Sequence, residues 1–149
     1  MNATTKQCFL VVEDSDEDFF AFERIVRKLS VTQTIYRCSD GDEALDFLYH
    51  RGQYKDPEKA PRPSMILLDL NLPGIDGRDV LAQIKQDSDL NIIPVVVFTT
   101  SSNPKDVEIC YEKGVNSYII KPINVNKLMR SIELLIEYWF SANTLPNLG

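Results

Sequence analysis

The stretch MILLDLNLPGIDG, Met65 to Gly77, decides the fold of this chain. Its first four residues, Met65–Leu68, are all apolar, which is typical of a parallel strand covered on both faces. Asp69 follows directly, and because a buried sheet disfavours a free carboxylate, we expect it where the strand leaves the core. Pro73–Gly74 predicts a turn, and Asp76–Gly77 predicts the start of the next helix. Asp69 is therefore predicted at the edge of the sheet where doubly wound folds bind ligands.

Polar side chains also follow three other apolar runs, at the point where each predicted strand ends. An aspartate at one strand end more often caps a loop than reacts, so Asp69 alone does not identify a site. Because the carboxyl ends of parallel strands meet at one edge of a sheet, all these side chains are expected to converge there. The additional residues are Glu13 and Asp14 after Phe9–Val12, Thr99 after Val95–Phe98, and Lys121 after Tyr118–Ile120.

Five apolar runs alternate with five segments of helical periodicity, which predicts a parallel sheet wrapped by helices on both faces. The 149 residues are enough for one domain with its own core. Residues 51–63, RGQYKDPEKAPRP, hold three prolines and no periodicity, and are predicted to form an inserted surface loop. The predicted strands are Cys8–Val12, Thr34–Cys38, Met65–Leu68, Pro94–Phe98 and Ser117–Ile120.

The last predicted helix, over about 124–140, carries more apolar surface than one sheet can cover. Two explanations are open: part of this surface pairs with a second subunit, or the tail at 141–149 folds back over it. The residues predicted to face inward are Val125, Leu128, Ile132, Leu135, Ile136 and Trp139, and the other apolar residues are Met129, Leu134, Tyr138 and Phe140.

Composition and charge exclude several classes of function. With 16 basic and 22 acidic side chains and a net charge of −6, the chain has no basic stripe for nucleic acid. No run approaches the length of a membrane span, and the start MNATTKQ lacks a signal-peptide core, so we expect a cytoplasmic protein without a membrane partner. Cys8, Cys38 and Cys110 have no disulfide or zinc spacing and are expected to be reduced core residues. The single His50 is expected at a helix end rather than in a metal site.

The predicted edge has the chemistry of a phosphoryl-transfer site. Three carboxylates placed together repel one another unless a cation joins them. Oxygen ligands without histidine or thiolate favour Mg²⁺, a lysine can hold a phosphoryl oxygen, and a threonine hydroxyl can donate to another. Asp69 is the candidate nucleophile. Asp16 and Asp18 are assigned instead to the following helix, where acids in the first turn suit the helix dipole.

The set Glu13–Asp14, Asp69, Thr99 and Lys121–Pro122 resembles the receiver domain of CheY-like two-component response regulators. The resemblance covers essentially the whole chain. It implies an α/β, flavodoxin-like fold with strand order 2-1-3-4-5, in one receiver domain over residues 1–149 with a C-terminal extension at about 141–149. The blocks RPSMILLDLNLPGIDG, PVVVFTTS, NSYIIKP and EYWF are similar to the small single-domain regulators that partner cyanobacterial phytochromes, the Rcp class.

The resemblance implies a phosphorelay protein rather than an enzyme. Asp69 would accept a phosphoryl group from the histidine of a sensor kinase, here a cyanobacterial phytochrome. Asp14, Asp69 and the main-chain carbonyl of Asn71 would bind Mg²⁺ directly, and Glu13 would act through water.

The resemblance also assigns the residues that read the phosphoryl group. Thr99 and Lys121 would contact its oxygens, and Tyr118 would be the aromatic switch. The signal would leave through an unidentified downstream protein or through a homodimer formed by the last helix. Independently, Lys121–Pro122 closes a strand and is a candidate cis peptide.

Several alternatives remain open. Thr100 and Ser101 are rivals to Thr99, although Thr99 directly follows four apolar residues as Asp69 does. A haloacid-dehalogenase-like phosphatase also uses an aspartate after an apolar strand, but it needs an acid where this chain has Asn71. A pseudo-receiver would bind partners without phosphorylation. A nucleotide-binding fold is disfavoured because no glycine-rich loop follows the first strand.

Overall fold

A five-stranded parallel sheet forms the centre of the protein. The computed structural model describes residues 7–146, and their strands follow the order β2-β1-β3-β4-β5 that the resemblance implies. The strands are β1 (Cys8–Val12), β2 (Thr34–Cys38), β3 (Met65–Leu68), β4 (Val95–Thr99) and β5 (Ser117–Ile120). The helices are α1 (Asp16–Lys28), α2 (Gly41–Tyr49), α3 (Gly77–Gln86), α4 (Pro104–Glu112) and α5 (Val125–Glu137).

Successive side chains of each strand enter two different cores, because side chains alternate between the faces of a sheet. Leu10 and Val12 pack against α2, α3 and α4 on one face. Phe9 and Val11 pack against α1 and α5 on the other. Since helices cover both faces, the central strands are apolar without alternation, as the run Met65–Leu68 predicts.

The chain after α5 returns to the core. The helix ends at Glu137, earlier than predicted, and continues as one π-helical turn at Tyr138–Ala142. This turn places the ring of Phe140 on that of Phe9, with centroids 3.8 Å apart and planes within 4°. Leu145 packs against the same core. The part of the tail up to residue 146 therefore covers some of the apolar surplus of α5.

Part of the outer surface of α5 and of the turn after it is apolar. Leu134 and Tyr138 are 49% and 53% exposed. Val125, which helical spacing placed inward, is 69% exposed. It is the first residue of the helix, directly after the N-cap Asn124, and the inward stripe of α5 is fully buried only from Ile132 onward.

The inserted loop is exposed along much of its length but anchored to α2. It contains a short 3₁₀ turn, Gly52–Tyr54, and the hydroxyl of Tyr54 donates to Glu43 Oε2 at 2.6 Å. Arg62 donates to the main-chain carbonyl of Leu48 at 3.0 Å, and Ala60 is fully buried. The loop is thus a surface element with fixed attachment points.

The single histidine and the cysteines lie where the sequence predicts. His50 is the C-cap of α2 in the left-handed conformation, with φ of 56°. Cys8, Cys38 and Cys110 are buried and free. Among residues 7–146, no helix is long and apolar enough to span a bilayer.

Candidate functional site

The carboxyl edge of the sheet brings together side chains from four neighbouring strands. Glu13 and Asp69 follow β1 and β3, Thr99 ends β4, and Lys121 follows β5. All four are buried, although three of them are ionisable. Within the described residues, Ser64 is the one further buried residue with a polar side chain. Among the described residues, the buried acidic and basic side chains all lie at this edge, which marks it as the candidate site.

The ammonium group of Lys121 lies at the centre of the site. Its Nζ donates to Glu13 Oε1 at 2.6 Å, to Asp18 Oδ2 at 2.9 Å and to Asp69 Oδ2 at 3.1 Å. The Lys121 side chain is only 3% exposed. Burial by itself lowers the pKa of Lys121, but the hydrogen bonds and charges of its acidic partners outweigh burial and raise the pKa above its ordinary value. The lysine is therefore a buried, permanently charged donor.

Three acids at this edge can hold a metal ion. Glu13, Asp14 and Asp69 each offer a carboxylate oxygen, and these oxygens lie within 4.8 Å of one another. Asp14 is exposed while the other two are buried, so the cluster opens to solvent on one side. An all-oxygen donor set of this kind fits Mg²⁺.

Glu13 is held by neighbours on both of its carboxylate oxygens. Oε1 accepts from Lys121, and Oε2 accepts from the main-chain N–H of Ser15 at 3.2 Å. The surroundings of Glu13 together raise its pKa to about 7: burial raises the pKa most, Lys121 offsets part of that effect, and the charge of Asp69 adds to it. A cation joining these carboxylates would favour the ionised form of Glu13.

The chain after β3 fixes the Asp69 carboxylate. Asp69 Oδ1 accepts from the main-chain N–H of Asn71 at 3.2 Å. Gly77, the first residue of α3, packs so closely that a Cβ there would collide with the carbonyl oxygen of Asp69 and with Leu70 Cα, at 2.6 Å from the latter. A glycine at this position therefore lets α3 start directly beside the acidic edge.

The register of β4 distinguishes the candidate hydroxyls. Thr99 is completely buried and pairs with Ile120 of β5, whereas Thr100 is exposed. Thr99 Oγ1 accepts from the main-chain N–H of Ser101 at 3.4 Å. Of the two threonines, Thr99 is the one within the buried edge that holds Asp69 and Lys121.

A polar network continues from Thr99 toward α3 and α4. The half-buried Tyr118 donates its hydroxyl to the carbonyl oxygen of Ser101 at 2.9 Å. Ser101 Oγ donates to Asp106 Oδ2 at 2.6 Å, and Arg78 donates to Asp106 Oδ1 through Nε at 2.9 Å. Arg78 also pairs with Asp76, the N-cap of α3, at 3.0 Å. We call Asp76, Arg78, Ser101 and Asp106 the Arg78 network.

The sequence of this chain matches a known protein family. The family profile for the response regulator receiver domain matches residues 9–133. The chain belongs to the response regulator receiver family. Members of this family are generally signalling proteins.

Two cyanobacterial response regulators are similar to this receiver domain. Rcp1 of Synechocystis sp. is 43% identical over 137 residues, covering 92% of this chain and 91% of Rcp1. The crystal structure of the Mn²⁺-bound form of Rcp1 has a TM-score of 0.90 and covers 95% of this chain and 99% of that one. The crystal structure of the phosphorylated cyanobacterial phytochrome response regulator RcpA has a TM-score of 0.89 at 39% identity, covering 96% of this chain and all of that one.

A relative named for a different process is almost as similar. The probable methanogenesis regulatory protein FilR2 of Methanothrix harundinacea is 41% identical over 138 residues. The match covers 92% of this receiver domain and 86% of FilR2.

Two features of the receiver site differ from the sequence-based expectations. Asp18, assigned to the helix dipole alone, contacts Lys121, and no pattern in the sequence indicates that contact. The Lys121–Pro122 bond is trans, because the structure has no cis peptide among residues 7–146. The sequence identifies only a bond before proline, for which the trans isomer is favoured by about 0.5–1 kcal/mol.

Proposed function

We propose that this receiver domain accepts a phosphoryl group from a sensor histidine kinase on Asp69, in a Mg²⁺-dependent reaction, and signals by a change of conformation. The observation that supports this proposal best is the placement of the Asp69 carboxylate. It lies 3.1 Å from a buried ammonium and within 4.8 Å of two further carboxylates. This arrangement offers an anionic nucleophile together with groups that can stabilise an incoming phosphoryl group.

Each neighbour of Asp69 has a proposed role. Asp14, Asp69 and the main-chain carbonyl of Asn71 would hold Mg²⁺, and Glu13 would act through water. When bound, Mg²⁺ supplies positive charge against the phosphoryl oxygens. An oxygen of Asp69 forms the new bond to phosphorus while the bond from phosphorus to the donor histidine nitrogen breaks.

The remaining residues hold and report the phosphoryl group. Lys121 would donate to one of its oxygens and the Thr99 hydroxyl to another. Phosphorylation adds nearly two negative charges at the edge, and the movement of Thr99 would reach Tyr118 through Ser101. We propose that this shifts a two-state equilibrium of the surface formed by α4, β5 and α5.

We propose that the signal leaves this protein through contact with another protein. The protein that makes this contact is proposed to be one receiver domain with an inserted loop at 51–63 and an extension at 141–149. The exposed Leu134 and Tyr138 on the outer face of α5 support homodimerisation there, and the downstream protein is unidentified. The three free, buried cysteines support a cytoplasmic location.

The proposed input is a phytochrome kinase. The similarity to Rcp1 and to the phytochrome response regulator RcpA supports it. The similarity to FilR2, a probable methanogenesis regulatory protein, favours a second candidate, a sensor kinase of a different pathway. Incubation with a ³²P-labelled phytochrome kinase and, separately, with a labelled kinase of another input class distinguishes the two by the rate of phosphoryl transfer.

Phosphorylation by acetyl phosphate tests the central proposal. We expect one added phosphate by intact mass in the wild type with Mg²⁺, and none with EDTA or in Asp69→Asn. Asp14→Asn is a control that keeps Asp69 and is expected to need more Mg²⁺. If neither acetyl phosphate nor either kinase labels the wild type, the protein is a pseudo-receiver and the proposal is wrong.

A further inference from the structure

Asp18 is an acid of α1 whose side chain turns into the candidate site. Its Oδ2 accepts from Lys121 Nζ at 2.9 Å, and its side chain is 32% exposed while that of Lys121 is 3% exposed. The N-cap Ser15 fixes this position, because the main-chain N–H of Asp18 donates to Ser15 Oγ at 3.2 Å. Ser15 also donates its own N–H to Glu13. The N-cap of α1 therefore positions both Glu13 and Asp18 beside the ammonium group of Lys121.

The three carboxylates around Lys121 are not equivalent. An ammonium has three N–H donors, and Glu13, Asp18 and Asp69 each take one of them. Glu13 and Asp69 also belong to the group of acids that can hold a cation, whereas Asp18 lies outside that group. A cation at the acids would therefore compete with Lys121 for Glu13 and Asp69 but leave Asp18 to the lysine.

We propose that Asp18 is a positioning residue, which keeps the buried Lys121 ammonium paired and in place when Glu13 and Asp69 are engaged by Mg²⁺. A buried ammonium without a carboxylate partner is strongly disfavoured. Without Asp18, Lys121 would hold Glu13 and Asp69 in competition with the metal ion, and the edge would also carry one negative charge fewer. Both effects weaken Mg²⁺ binding, so the expected direction is unambiguous. The inference rests on the proposed function only through the metal site.

The test is the affinity for Mg²⁺, measured by isothermal titration on the full chain without a phosphodonor. We expect Asp18→Asn to bind Mg²⁺ about tenfold more weakly, as for other residues that support metal ligands through a second contact. Glu17→Gln is the matched control, because Glu17 is an exposed acid in the same turn of α1. Screening at physiological salt limits the effect of that remote charge to about twofold.

A conservative variant separates positioning from a general structural effect. Asp18→Glu keeps the carboxylate in a partly exposed position and is expected to recover most of the lost affinity. Near-ultraviolet circular dichroism with EDTA checks that each variant keeps the wild-type packing. If Asp18→Asn does not keep that packing, Asp18→Ser replaces it in the same comparison with Glu17→Gln, and the same loss of about tenfold in Mg²⁺ affinity is expected.

The possible failures are distinguishable. If the wild type binds Mg²⁺ and Asp18→Asn binds it as well as Glu17→Gln does, Asp18 has no positioning role and the metal site still stands. If the wild type binds no Mg²⁺, the metal part of the proposed function is wrong and the inference is wrong with it. If Mg²⁺ affinity follows the expected order but acetyl phosphate adds no phosphate, the inference holds and the phosphoacceptor proposal does not.

Discussion

Thr99 and Thr100 are adjacent threonines in very different surroundings. Thr99 is 0% exposed at the edge that holds Asp69, and Thr100 is exposed. We expect Thr99→Ala to accept phosphate on Asp69 but to lose the conformational change that phosphorylation causes at residues 100–103. The reason is that the Thr99 hydroxyl, which would donate to the phosphoryl group, is absent from this variant. Hydrogen exchange of that segment, with and without acetyl phosphate, measures the change.

Thr100→Ala is the control and is expected to retain the change, as is Thr99→Ser. Loss of the change in Thr100→Ala alone would mean that the register assigned to the hydroxyls is wrong.

The residues placed at the acidic edge from sequence share one property. Each lies at the end of an apolar run or directly after it, as Glu13, Asp69, Thr99 and Lys121 do. Because the apolar run forms a buried strand, the polar residue that follows is placed at the carboxyl end of that strand. Asp18 has no such mark. An acid in the first turn of a helix has a sufficient local reason to be there, and its contact with Lys121 joins residues 103 positions apart.

At the scale of elements, the Arg78 network connects the start of α3 to the loop after β4. Arg78 pairs with Asp106 at 2.9 Å, and its side chain is 22% exposed. We expect Arg78→Met to lower the free energy of unfolding by about 2 kcal/mol at pH 7, since the half-buried Asp106 would lose its cationic partner. Lys105→Met, which removes an exposed charge from the same turn of α4, should change stability by less than about 0.5 kcal/mol.

Urea unfolding measured against pH adds a second check. Arg78, followed by Ser101, holds the pKa of Asp106 below its ordinary value of 3.8. The contribution of the Arg78–Asp106 pair to the free energy of unfolding is therefore fully present above pH 3.8, and it is lost as the pH falls through the lowered pKa of Asp106. The difference between the wild type and Arg78→Met should shrink in acid. Equal urea midpoints for the Met variants at Arg78 and Lys105 at pH 7 would contradict the role of the network.

The bounds of four strands agree with the prediction, and β4 is shifted by one residue, but the end of α5 and the contacts of the inserted loop could not be predicted. Helical periodicity continues through 138–140, so no local pattern marks the π-helical turn that carries Phe140 to Phe9. The loop at 51–63 is polar and rich in proline, which predicts exposure. Its anchors are pairs such as Tyr54 with Glu43, whose partners become neighbours only after α2 has formed.

At the scale of the whole molecule, the outer face of α5 predicts self-association. Leu134 and Tyr138 are large, apolar and about half exposed. We expect phosphorylated wild type to sediment as a dimer at micromolar concentration and Leu134→Asp as a monomer, because a charge there would be buried between subunits. Ile92→Asp, at an equally exposed apolar residue outside α5, is expected to leave association unchanged. A wild type that is monomeric with and without phosphorylation would rule out the dimer.

The strand order could not be obtained from alternation alone. Alternating strands and helices predict a parallel sheet, but not which strands are neighbours. The order came from the resemblance, and with it the prediction that β1 and β3 lie side by side and place Glu13 next to Asp69. The pairing of Val12 with Leu68 fulfils that expectation.

The stack of Phe140 on Phe9 determines where a reporter can be attached. Phe9 lies near the amino end of β1 and Glu13 just beyond its carboxyl end, about 13 Å away along the strand. A fluorescent dye attached at Ser141, which is exposed in the turn that carries Phe140, would therefore lie near the end of β1 remote from Asp69 and leave the acidic edge open to a phosphodonor. Two chains labelled there with different dyes would also come close together if their α5 helices pair, so energy transfer between the dyes would follow association.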